Sequence, residues 1–151
     1  MKTANKSVRS IRAFIWVIMA VLFFVSCEEE LTGDVGTAEA LEGNWTVNEN
    51  SEFAGNTSYQ VYIDIYSDDS SSVLISNFYQ LGYESGEVIG DISGNRIELR
   101  PNQDINYQGI TYTVESGTGS ISGDYQSIDW QYKEDDGSGT PDNVTAEYSK
   151  R

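Results

Sequence analysis

The sequence predicts an all-β domain, an antiparallel sandwich or barrel of about eight short strands. Three observations carry this. Apolar and polar residues alternate with period two through much of residues 41–151. The alternating runs are rich in Tyr, Val, Ile and Thr, which suit a pleated, half-buried surface. Clusters of Gly, Asn, Asp and Ser interrupt them at short intervals. No run of ten residues there carries a helical period.

Taken in order, residues 41–47 open the first strand. Tyr59, Val61, Ile63 and Ile65 share one face of the next, with Gln60, Tyr62, Asp64 and Tyr66 on the other. Residues 73–79 and 87–92 read as strands with weaker patterns. Ile97 and Leu99 alternate with Arg96, Glu98 and Arg100, and Ile110, Tyr112 and Val114 with Thr111 and Thr113. The last two strands hold Ile128, Trp130 and Tyr132, then Val144, Ala146 and Tyr148. Turns fall at Ser93-Gly94-Asn95, at Ser122-Gly123-Asp124 and over 137–143.

Ahead of the domain, residues 13–25 form thirteen apolar residues without interruption. As a helix they would reach about 20 Å, against a hydrocarbon core about 30 Å thick. Lys2, Lys6, Arg9 and Arg12 all precede the run, and no acid does. A basic flank, a short apolar run and small residues predict a removable export signal over 1–26. Phe24-Val25-Ser26-Cys27 resembles the lipobox of bacterial lipoproteins, although Phe24 stands where leucine is preferred. That resemblance implies cleavage before Cys27, lipid attachment to its sulfur, and a place in the cell envelope on the outer membrane. Two or more acyl chains hold a protein firmly. Residues 27–40 then form a lipidated acidic tether, with five acids over 28–40 and no apolar period. Glu28-Glu29-Glu30 resembles the surface-export signal of Bacteroidota lipoproteins. It reads equally as a solvated spacer, so periplasmic and cell-surface orientations both stay open.

Charge narrows the partners. The whole chain carries a formal −15, and removing the four leader cations leaves −19 over 125 residues. Such a surface repels phosphate backbones, so nucleic acid is excluded as a partner. The single cysteine forms no internal disulfide, and the chain contains no histidine.

Gly43-x-Trp45, at the start of a series of alternating strands, resembles the calycin group: lipocalins, fatty-acid-binding proteins and avidins. The resemblance implies an up-and-down barrel in which Trp45 plugs the closed end and Gly43 lets the backbone pass close by. Lipocalins also cover that tryptophan with a basic residue from the last strand. Residues 144–148 contain none, and Lys150 and Arg151 lie at the tail. A closer resemblance, over roughly 41–150, is to small lipocalin-like lipoproteins of Bacteroidota. It rests on Gly43-x-Trp45, on residues 75–79, on Ile92-Ser93-Gly94-Asn95, on Pro101-Asn102-Gln103, on Trp130-x-Tyr132 and on Thr145-Ala146-Glu147-Tyr148. That family supplies a fold and a location but little chemistry.

Catalysis has thin support, since Ser-His and Cys-His pairs are absent. Asp64 and Asp129 could pair as glycosidase carboxylates, but most of the 24 acids simply face water. The reading is non-enzymatic, with no cofactor. Residues 134–143 hold oxygen ligands of the type calcium prefers, without the EF-hand spacing, and read as a solvated loop; Asp68-Asp69 reads the same way. Three Asn-x-Ser/Thr triplets, at Asn44, Asn56 and Asn143, would matter only in a eukaryotic secretory host.

Two functions follow. The domain binds a small apolar or amphipathic ligand in the barrel mouth, or it docks to a protein or glycan through exposed Tyr62 and Tyr66. Whether the barrel is hollow, and its oligomeric state, lie beyond the sequence.

Overall fold

The computed structural model describes residues 37–67 and 71–151. The export signal, Cys27, residues 28–36 and Asp68-Asp69 therefore lie outside the described residues. Among the described residues a short helix α1 (Thr37–Leu41) precedes nine strands. These are β1 (Gly43–Ser51), β2 (Gly55–Ile65), β3 (Ser72–Ser76), β4 (Val88–Ser93), β5 (Arg96–Leu99), β6 (Gln103–Tyr107), β7 (Ile110–Ile121), β8 (Ser127–Asp135) and β9 (Asp142–Lys150).

Antiparallel pairing runs β1-β2-β3-β4-β5-β7-β8-β9 and closes from β9 back to β1. The ring is an eight-stranded up-and-down barrel, as the sequence predicts. The ninth strand, β6, stands outside the ring and pairs with the first part of β7. That explains why Ile110 is exposed despite its alternating pattern: this stretch of β7 belongs to a hairpin beyond the barrel wall. β6 carries only Ile105 as a buried apolar residue, too little to announce a strand.

The alternation sorts inside from outside as expected. Trp45 and Val47, Tyr59, Val61 and Ile63, Ile128, Trp130 and Tyr132, and Val144, Ala146 and Tyr148 are all buried. Closing so small a barrel over two tryptophans needs room, and inward-facing glycines supply it. A Cβ at Gly119 would stand 2.9 Å from the Trp130 ring, and one at Gly117 2.6 Å from Leu99. Large side chains thus lie over glycines on neighbouring strands, and the interior is filled. Gly119→Ala is expected to cost about 2 kcal/mol of stability by overpacking, measured by urea denaturation; an unchanged midpoint would show that the ring has slack.

The strands leave two ends. One holds α1, the β4–β5 turn and the β7–β8 turn. Here the structure corrects two expectations. Residues 37–40 are not tether but, with Leu41, form α1, in which Thr37 and Ala38 join Leu41 in being buried against the barrel floor. The helix escaped notice because five residues show no period. The second correction concerns the basic residue over Trp45. β9 runs to Lys150, which is the register partner of Trp45. Its ammonium lies 5.7 Å from the indole centroid and donates to the Ala40 carbonyl. Trp45 is fully buried and donates from Nε1 to the Leu41 carbonyl at 2.8 Å. Gly43, at φ 132°, adopts a backbone that side chains resist. Lys150→Met should keep the stem's packing and lose the charge, lowering stability by about 1 kcal/mol, measured by thermal melting.

The opposite end is bordered by the β1–β2 hairpin, residues 77–87, the β6–β7 hairpin and the β8–β9 connection. Residues 73–79 are not one strand: β3 stops at Ser76, and a 3-10 turn (Phe78–Gln80) follows. Asn77, Tyr79 and Gln80 all take positive φ, at 63°, 52° and 59°. This costs non-glycine residues energy. The turn drives Phe78 into the barrel, 4.7 Å from the Tyr132 ring, and brings Tyr79 over the rim.

Candidate functional site

Tyr62 lies on the outer face of β2 and Tyr66 directly follows its last residue; both are half-buried, with exposed Asp64 between them. Tyr66 already has a partner. The Arg100 guanidinium sits 5.2 Å above its ring and binds Asp91 at 2.8 Å, holding that carboxyl below its usual range. Asp64 and Asp129 are both exposed, on strands separated by β1 and β9, and do not converge. The acids at the tip of the 134–143 loop serve their own backbone. Asp135 accepts from the amides of Gly137 and Gly139, and Asp136 from that of Ser138. Among the described residues no group of three or more His, Cys, Asp or Glu is placed to hold a metal ion.

The chemistry gathers instead inside the open end. Glu49 is the continuation of Trp45 and Val47 along β1 and is buried. It accepts from the Tyr59 hydroxyl at 2.5 Å and from the Tyr132 hydroxyl. Burial pushes its carboxyl up, against the pull of those two donors. Asp142, first residue of β9, accepts from Ser51 Oγ at 2.5 Å, from the Glu52 amide at 2.9 Å and from the Tyr79 hydroxyl at 2.9 Å. Its neighbour across the ladder is Glu134, the last inward residue of β8. Two carboxylates directly opposite each other repel.

Glu134 is 2 % exposed, and its Oε1 has no hydrogen-bond partner. Desolvation, then the nearby Asp136, Asp142, Asp135 and Glu49 carboxylates, push it up to about 7. It lines a recess of about 290 Å³ together with Phe53, Ala54, Tyr79, Tyr112 and Asp142. The Tyr79 and Tyr112 rings stand 6.4 Å apart, and Phe53 is 65 % exposed at the rim. A broader concavity of about 1640 Å³ lies on the outer wall, lined largely by outward polar side chains such as Asn48, Gln131, Thr145 and Glu147. Its lining includes Trp130, whose buried Nε1 has no hydrogen-bond partner, but the buried, unsatisfied carboxyl oxygen of Glu134 belongs to the smaller recess.

The sequence reading missed Glu134 and Asp142 as interior residues, although a signal was present. Both extend period-two series, Ile128-Trp130-Tyr132-Glu134 and Asp142-Val144-Ala146-Tyr148. Their place beside a Gly- and Asp-rich loop disguised them as loop acids.

No family model matches the chain, and no curated protein matches it. Among solved structures, EF1p2_mFAP2b bound to DFHBI is similar at a TM-score of 0.51 and 13% identity, over 78% of this chain and 98% of that one. A redesigned β-barrel, b11L5F_LGL, gives a TM-score of 0.48 and 15% identity over 76% and 95%. At such identity the first likeness establishes the fold alone: this chain is a small, closed, lipocalin-like β-barrel.

Proposed function

We propose that the protein is a lipid-anchored, non-enzymatic binding module that takes a small amphipathic ligand at the open end of its barrel. It would belong with the small lipocalin-like lipoproteins of Bacteroidota. The observation that carries this reading is the recess at the mouth, where aromatic walls meet a buried carboxylate without a partner. The similar barrel solved with DFHBI supports the use of such a scaffold for a small molecule. A filled interior directs the ligand to the rim, and the volume suits something much smaller than a fatty acid, haem or sterol. The chain enters the domain at α1, at the other end, so a tether from Cys27 would leave the mouth open to solvent. Docking through Tyr62 and Tyr66 has less support, because Tyr66 is already stacked on Arg100.

Nuclear magnetic resonance mapping of a library of small aromatic molecules on the full-length protein tests the site. Shifts should concentrate at Ala54, Tyr79 and Tyr112. Hits confined to the β2 face, or none at all, would reject it. The anchor is tested by Cys27→Ser, which should leave an unprocessed chain without acyl groups. Unchanged maturation and acylation would remove the lipoprotein assignment.

A further inference from the structure

Three carboxyl groups, Glu49, Glu134 and Asp142, are buried at one end of the barrel. Glu49 and Asp142 are satisfied by hydroxyl and amide donors, and no cation reaches either. The ion pairs found among the described residues are Arg96–Glu98 and Arg100–Asp91, both on the outer surface. Glu134 therefore faces Asp142 across the ladder with a buried oxygen that makes no hydrogen bond, beside a recess that a ligand could fill. A buried carboxylate without a partner is expensive, and a positive charge is what offsets it best.

Two kinds of cation could serve, and the walls choose between them. A calcium ion takes six or more oxygens, whereas here no suitable group of three acids exists among the described residues, and Asp142 is committed to three donors. Phe53, Tyr79 and Tyr112 line the recess with aromatic rings instead, a type of group that attracts organic cations and gives little to a hydrated metal ion. The formal net charge of −15 on the chain draws cations of every type toward the surface.

We infer that the mouth recess binds an organic cation, a protonated aryl- or alkylamine whose ammonium meets Glu134 and whose apolar body lies against Phe53, Tyr79 and Tyr112. This rests on the open end being the ligand site, and the experiment separates the two. Full-length protein in detergent is titrated with 2-phenylethylamine, with its neutral counterpart 2-phenylethanol, and with calcium chloride, following chemical shifts at Ala54 and Tyr112. The amine should bind at least tenfold more tightly than the alcohol, and calcium should not displace it. Glu134→Gln should remove that preference, and Phe53→Ala, at the exposed rim, should weaken the amine about threefold. Equal binding of amine and alcohol would overturn the cation while keeping the mouth as the site. No binding of either would overturn both, and calcium occupying the recess in place of the amine would overturn the organic cation. The amine–alcohol comparison needs no variant, so it decides the matter even if Glu134→Gln fails to fold.

Discussion

Trp45→Ala should lower the unfolding free energy by about 3–5 kcal/mol, the usual loss for truncating a large buried aromatic. For a domain of this size that is on the order of 15 °C in melting temperature. The indole is fully buried at the closed end, among Ala38 and Leu41 of α1. Removing it leaves the Leu41 carbonyl without its donor and Lys150 without its ring, so α1 loses the contacts that seat it. The surrounding strands are hydrogen-bonded on both sides and cannot collapse into the gap. Trp45→Phe should cost about half as much, because most of the bulk survives while the hydrogen bond and part of the ring go. Urea denaturation followed by far-ultraviolet circular dichroism measures both. A loss under 1 kcal/mol for Trp45→Ala would show that the closed end does not depend on its plug.

The second large effect is a pH dependence set by Glu134. In the unfolded chain this carboxyl titrates near the ordinary 4.5, and in the folded barrel near 7. Between those values the folded protein holds a proton that the unfolded chain has released. Stability therefore falls as pH rises from 4.5 to 7 and is level above it. Water at the open mouth screens part of the effect, leaving about 2 kcal/mol across the window. Glu49, also raised, acts in the same direction. The comparison of wild type with Glu134→Gln isolates one group from the other acids that face it: Asp142, Asp135, Asp136 and Glu49. The variant should equal wild type near pH 4.5 and exceed it by about 2 kcal/mol at pH 8, read from urea midpoints at each pH. Parallel stability curves for the two proteins would mean that Glu134 is solvated in the folded state.

Alternation made most of this barrel legible, because a strand with one face inside and one outside writes that fact into every second residue. β2, β8 and β9 could be placed with their buried faces correct. What the pattern could not show were elements held by few residues. α1 is a single turn defined by contacts with the floor, and β6 is an outlying strand with one buried apolar side chain. The turn at Phe78 depends on three left-handed residues, two of which, Tyr79 and Gln80, have no special liking for that conformation. The site was the harder part for a different reason. Polar residues at inward positions break the rule that inside means apolar, so Glu49, Glu134 and Asp142 passed for members of a crowded acidic surface. Lys150 reads as part of the tail because the apolar alternation stops at Tyr148, two residues before the last strand ends.

The claim on which the rest depends is that Glu134 is a desolvated, uncompensated carboxyl awaiting a positive charge. Its side-chain carboxyl carbon can be followed directly by nuclear magnetic resonance as pH is varied, with and without saturating 2-phenylethylamine. The midpoint should lie near 7 in the free protein and move below 6 when the amine is bound. A midpoint close to 4.5 that the amine leaves untouched would contradict the account.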